Sequence, residues 1–158
     1  RVETLNFRVF PEKRIPRIGN WDTFVNLDLI NCYNNKKYTF NNIPTTPQGY
    51  GKIDFVRDID VSDGPYRFFV KGYSHLRRQY TCYALDIIIV NVDLTKEGKE
   101  LLAGEVSVVY DNYINALDVS VIVSNMFTND YKADLNQDGK VNSLDFANQL
   151  YNFYLFGD

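Results

Sequence analysis

The sequence predicts a multidomain β-plus-α chain: an N-terminal antiparallel β-sandwich over residues 1–102, then a pair of loop–helix units over residues 103–158. Three observations carry this. Short runs from Leu5 to Val92 alternate apolar and polar residues; an oxygen-rich loop near the C-terminus has an altered copy upstream; and charge divides where the pattern changes. Residues 1–103 hold fifteen Lys/Arg against twelve Asp/Glu, and residues 104–158 hold two against eight. A segment so poor in cations repels phosphates, which excludes nucleic acid as its partner and favours cations.

The β half rests on period-two runs: Leu5–Val9, Phe24–Leu29 and Ile53–Val61, with further runs at Tyr66–Val70 and Leu85–Val92. A period of two buries one face of a strand and wets the other. Leu85–Val92 is almost wholly apolar, which predicts a central strand. Turn signals separate the runs at Asn34-Asn35, Pro44, Pro47, Gly49, Gly51 and Ser62–Pro65. Such spacing predicts an antiparallel sandwich.

Cys32 and Cys82 lie near the ends of two of these runs. They are either two buried thiols or a disulfide, which would close a loop of about 50 residues and stabilise by roughly 3–4 kcal/mol. The lone His75 reads as a surface or turn residue, with no second histidine or nucleophile pattern near it. Asp58, Asp60 and Asp63 cluster beside a turn and read as a solvated acidic feature.

Asp134–Asp145 is the most informative stretch. It follows D-x-[DN]-x-[DN]-G with an acid at position 12. Oxygens at positions 1, 3 and 5 curl around a hard cation and glycine at 6 permits the sharp turn. Position 7 offers its carbonyl, and position 12 closes the site from the first helical turn. The predicted calcium ligands are Asp134, Asn136, Asp138, the Lys140 carbonyl, Asn142 and Asp145. Ile114–Asp118 repeats Val141–Asp145, which sets Asp111 on position 5 and Asn112 on the glycine position. Further upstream the register breaks. With a two-residue insertion the first loop collects Glu105, Ser107, Asp111, the Tyr113 carbonyl, Asn115 and Asp118; otherwise it is a degenerate loop that binds weakly or not at all.

Helices are predicted after both loops. Leu144, Ala147, Leu150, Tyr151 and Tyr154 form one apolar stripe, and Leu117, Val121, Ile122 and Met126 another. The β-branched run Val119–Val123 favours strand by propensity, but the repeat outweighs it. Each unit is too small to bury its own face, so the two stripes are expected to pack together.

On Ala103–Val106, Asn115–Asp118 and the whole Asp134–Asp145 loop, residues 103–156 resemble a dockerin, the EF-hand-like calcium module of bacterial and archaeal extracellular assemblies. The resemblance implies two calcium ions, an extracellular or cell-surface location and a cohesin partner. It also implies partner recognition at Ala116-Leu117 and Ser143-Leu144. Tyr66–Arg78 resembles, on a looser match, the transthyretin-like (carboxypeptidase-regulatory-like) sandwich of surface proteins.

Nothing in the sequence supports catalysis: it holds no zinc-type histidine pair, no G-x-S-x-G elbow and no phosphate loop. The expected function is non-enzymatic assembly, as the repeating subunit of a surface filament. Leu5, Phe7 and Val9 of an N-terminal arm would then insert into a neighbouring copy. The alternatives are a dockerin-type adaptor that binds a separate cohesin, or a carbohydrate-binding module attached to a dockerin.

Overall fold

The computed structural model describes residues 2–14, 19–55 and 61–158. Among these residues seven strands form two sheets: β1 (Thr4–Arg8), β2 (Phe24–Asn31), β3 (Lys37–Pro44), β4 (Tyr50–Asp54), β5 (Gly64–Gly72), β6 (Arg77–Leu85) and β7 (Ile89–Asp93). One sheet has the order β4-β1-β7 and the other β3-β2-β5-β6. Alternation explains the layering. Leu5 and Phe7 of β1, Leu27 and Leu29 of β2, and Tyr66, Phe68 and Val70 of β5 point inward and are buried. With Tyr80, Leu85, Val90 and Val92 they form one core between the sheets. Gly51 of β4 is dictated by this packing: a Cβ there would stand 2.3 Å from the Phe7 ring. The β-sandwich expectation holds, and Cys32 and Cys82 are joined as a disulfide linking the end of β2 to β6.

Four expectations need correction. The sandwich is not wholly antiparallel, because β1 runs parallel to β7 while pairing antiparallel with β4. Parallel partners lie far apart in sequence, so no hairpin signal marks them. Leu85–Val92 is not one central strand. The chain bends after Asp86, leaving Ile87 and Ile88 exposed, and β7 lies at the edge of its sheet among the described residues.

The N-terminal arm is no free connector. Leu5, Phe7 and Val9 are 0%, 1% and 0% exposed and fill the chain's own core, with β1 hydrogen-bonded on both sides. Period-two alternation tells which face is buried but not which chain covers it. His75 is buried, at 1% exposure, rather than a surface residue. It sits where residues 101–104 run back along the sandwich, paired with Ala103 in an antiparallel bridge. Of the acidic turn, Asp58 and Asp60 lie outside the described residues, as does part of the Ile53–Val61 run.

Backbone bonds continue into the C-terminal half. Leu76 N–H donates to the Leu102 carbonyl, Gly104 N–H to Ser74 and Glu12 N–H to Leu101. Beyond lie two short helices, α1 (Ala116–Ser124) and α2 (Ser143–Tyr151). Each is capped by its own loop, and in α1 the cap starts a helix through a run whose β-branched residues favour strand.

Candidate metal loops and helix face

The two loop–helix units share one hydrogen-bond scheme. In the second, Asp145 Oδ1 accepts from the N–H groups of Leu135 (2.8 Å) and Asn136 (3.2 Å), while Oδ2 accepts from Asn142 N–H at 2.9 Å. In the first, Asp118 Oδ1 accepts from Val106 and Ser107, each at 2.9 Å, and Oδ2 from Asn115 at 2.9 Å. Val106 and Ser107 therefore stand where Leu135 and Asn136 stand. That equivalence sets Glu105 against Asp134 and Ser107 against Asn136, the alignment with a two-residue insertion. Asn112 takes the left-handed backbone, φ 57°, at the position of Gly139, φ 94°.

Asn115 and Asn142 are N-caps. Their Oδ1 atoms accept from Leu117 and Leu144, completing capping boxes with Asp118 and Asp145. Each loop is also strapped to the segment behind the opposite helix. Phe127 N–H donates to Val141 and Val141 N–H to Thr128; Tyr154 N–H donates to Ile114 and Ile114 N–H to Leu155. The exchange is reciprocal, as a pseudo-twofold pair requires.

The carboxylates are arranged unequally. Glu105, Asp111 and Asp118 bring ligand oxygens within 4.8 Å of one another. Both Glu105 side-chain oxygens are buried and accept no hydrogen bond. Burial, then the adjacent Asp118 charge, pushes the Glu105 carboxyl up to about 7, against the pull of Lys71. In the second loop, Asp134 Oδ2 accepts from Gly139 N–H, Asn136 Oδ1 from Asp138 N–H, and Asp138 Oδ1 from Lys140 N–H. Asp134 Oδ1 is buried without a donor, and burial raises the pKa of both Asp134 and Asp145. Buried carboxylate oxygens that lack donors are the groups a hard dication satisfies, and among the described residues only the first loop draws three acids this close together. In the first loop, Asp111 Oδ2 accepts from Asn115 Nδ2 at 2.9 Å, and Ser107 Oγ donates to the Val109 carbonyl, leaving its lone pairs for a ligand role. Tyr113 and Lys140 have the carbonyls assigned to position 7 in the two loops.

The helix stripes meet only in part: Ile122 of α1 is buried, with Val121, Met126 and Phe146 of α2 packed against the same cluster. Leu117, Leu144, Leu150, Tyr151 and Tyr154 are exposed, while α2 turns Asp145 and Gln149 inward. The core beneath them consists of Ala103, Val106, Ile122, Ala133, Leu135 and Val141. Polar side chains then anchor the unit. Gln149 Nε2 donates to the Gly104 carbonyl, and Asn152 Nδ2 to the Ala103 carbonyl and to Glu12, which also accepts from Ala103 N–H. Ala116 and Ser143 begin the helices on the same exposed side as Leu117 and Leu144.

Sequence reasoning missed Lys71. This sandwich residue donates to the His75 carbonyl at 2.8 Å and interacts with Glu105 and Asp118; burial pushes its ammonium down to about 8. No spacing signal could link it to a loop so distant in sequence. Asn112, found by repeat alignment, also ties the first loop to β6, because its Oδ1 accepts from Arg77 N–H at 2.8 Å.

The chain is similar to solved structures of a type II cohesin–X-dockerin complex from Acetivibrio cellulolyticus. Against a C-terminal interface mutant the TM-score is 0.63 at 18% identity, covering 98% of this chain and 97% of the other. Against an N-terminal interface mutant it is 0.58, with the same identity and coverage. At that identity the likeness shows the fold, a β-sandwich. No family model matches the chain, and no curated protein matches it.

Proposed function

We propose that this chain is a non-enzymatic, extracellular assembly adaptor in which a dockerin-like, EF-hand-like calcium module, residues 103–158, docks onto a cohesin-like partner. The observation that carries the reading is the exposed apolar face on two helices related by one repeated hydrogen-bond scheme. Leu117, Val123, Leu144, Leu150 and Tyr151 lie outward, exposed among the described residues. Clustered exposed apolar residues of this kind mark interaction surfaces. Ala116, Leu117, Ser143 and Leu144 would make the first contacts.

Calcium would be held by Asp134, Asn136, Asp138, the Lys140 carbonyl and Asp145, and by Glu105, Ser107, Asp111, the Tyr113 carbonyl and Asp118. Bound there, it supplies the counter-charge these acids lack and stiffens the loops that cap the helices. Asn115 and Asn142 cap the helices and, at position 9, would reach the ion directly or through a water. The disulfide suits an oxidising location. The filament alternative is less favoured because its connector, β1, already completes the chain's own sheet.

The test is calorimetric titration of a type II cohesin into the chain. Calcium-dependent binding is expected, weakened at least tenfold in the Leu117→Ala/Leu144→Ala double variant while its calcium binding is retained. Binding that persists in chelator, or that ignores the double variant, refutes this docking face.

A further inference from the structure

The outer face of the β3-β2-β5-β6 sheet carries a groove apart from the helix face, bordered at its centre by Tyr110 of the first loop. Three hollows of about 310, 60 and 250 Å³ run together. The first and second share Phe24, Asn42 and Tyr73, and the second and third share Asn26 and Lys71. Aromatic rings line one end, Phe24 edge-on to Tyr73 at 73° and Tyr131 tilted 36° from Tyr73. Phe24, Tyr73 and Tyr131 are 47%, 39% and 37% exposed, with centroid spacings of 6.5 Å from Phe24 to Tyr73 and 6.0 Å from Tyr73 to Tyr131. Such rings are costly to leave in water and are held in place here: Tyr131 Oη donates to the Asp22 carbonyl, and the Lys132 ammonium stands 5.1 Å over Tyr73.

Amides line the middle. The β2–β3 register shifts between Val25 and Leu27, and opposite that shift Asn42 adopts φ 56°. Bulges of this kind re-aim side chains next to binding sites. Asn26 Oδ1 accepts from Asn42 N–H at 2.9 Å, which leaves its Nδ2 as a donor. The side-chain amide of Asn42 makes no hydrogen bond among the described residues. The groove's cations, Lys37, Lys71 and Arg77, outnumber its one acid, Asp28, but each is held by the chain's own groups. Asp28 takes Arg77 at 2.8 Å and Lys37 at 3.3 Å, and Lys71 donates to the carbonyls of Gly72 and His75.

We propose that this groove binds a neutral oligosaccharide. The C–H face of a pyranose suits an exposed aromatic ring, taken one at a time, and vicinal hydroxyls suit amides that offer donor and acceptor side by side. A nucleic acid or an acidic peptide would have to draw Lys37, Lys71 and Arg77 away from those contacts.

The test is calorimetry on the full chain in calcium buffer. The probes are neutral hexasaccharides of β-glucan, xylan and mannan type, with hexagalacturonate as the acidic counterpart. At least one neutral hexasaccharide is expected to bind. Tyr73→Ala should weaken it about tenfold, the value of one stacking contact. Asn42→Gly keeps the left-handed backbone unstrained while removing the amide, and should weaken binding by up to about tenfold. If Tyr73→Ala fails to fold, Asn42→Gly carries the test. Binding of no neutral sugar, binding of hexagalacturonate alone, or binding indifferent to Asn42→Gly overturns the proposal.

Discussion

Glu105→Gln should make the metal-free chain more stable at pH 8, although it removes a proposed calcium ligand. The Glu105 carboxyl is 0% exposed, without a hydrogen-bond donor, and pushed up from 4.5 to about 7 by burial and by Asp118. A carboxyl whose pKa rises on folding holds its proton more tightly in the folded chain. Its contribution to stability is therefore fully present below 4.5, is lost as pH rises to about 7, and stays lost above that. At 1.36 kcal/mol per pH unit, the cost of ionising it is about 3 kcal/mol as an upper figure. For a chain of this size that is roughly 6–12 °C in unfolding midpoint.

Lys71 works from the other side. Burial lowers its pKa to about 8, so its penalty fades as pH rises through 8 towards its ordinary value. Its neighbour Glu105 is therefore best judged by difference, as urea unfolding of the variant against wild type in calcium-free buffer at pH 4, 6 and 8. The expected difference is near zero at pH 4 and grows in favour of Gln to pH 8. Saturating calcium should invert its sign, since the metal then stabilises the carboxylate. A Gln variant less stable than wild type at pH 8 without metal would refute the electrostatic argument.

Leu5→Ala should cost about 2–5 kcal/mol in urea unfolding, because the side chain is core and not an arm; a cost below about 0.5 kcal/mol would contradict its burial. Leu117→Ala, at an exposed site, should move stability by no more than about 0.5 kcal/mol in the same assay. Reduction of Cys32–Cys82 should destabilise by roughly 3–4 kcal/mol, measured by unfolding with and without reductant. Asn112→Gly should cost about 1 kcal/mol through the lost bond from Arg77 N–H, and Asn112→Ala more, because alanine also strains the left-handed backbone.

Local pattern was legible where neighbours in sequence are neighbours in space. The strands at Leu5, Phe24 and Tyr66 declare themselves by alternation, and both helices by their apolar spacing after a repeated loop. Even the two-residue insertion was readable, since Glu105 and Ser107 retain the loop's chemistry. What stayed hidden depends on distant contacts. The parallel β1–β7 pairing has no turn to announce it, and the Asp86 bend in an apolar run looks like nothing in one dimension. The stripe Leu144–Tyr154 was legible as apolar but not as outward-facing, because the inward places are taken by Asp145, Gln149 and Asn152. Those polar groups are buried only because Gly104, Ala103 and Glu12 meet them. Periodicity finds an apolar face; it cannot say whether the chain itself covers it.

Whether the two loops are calcium sites is decided by calorimetric titration of calcium into chelator-stripped protein. Two ions per chain are expected, with Asp134→Ala and Glu105→Ala each removing one. Absence of any saturable calcium binding, in a chain whose circular dichroism shows it folded, would contradict the calcium-module reading.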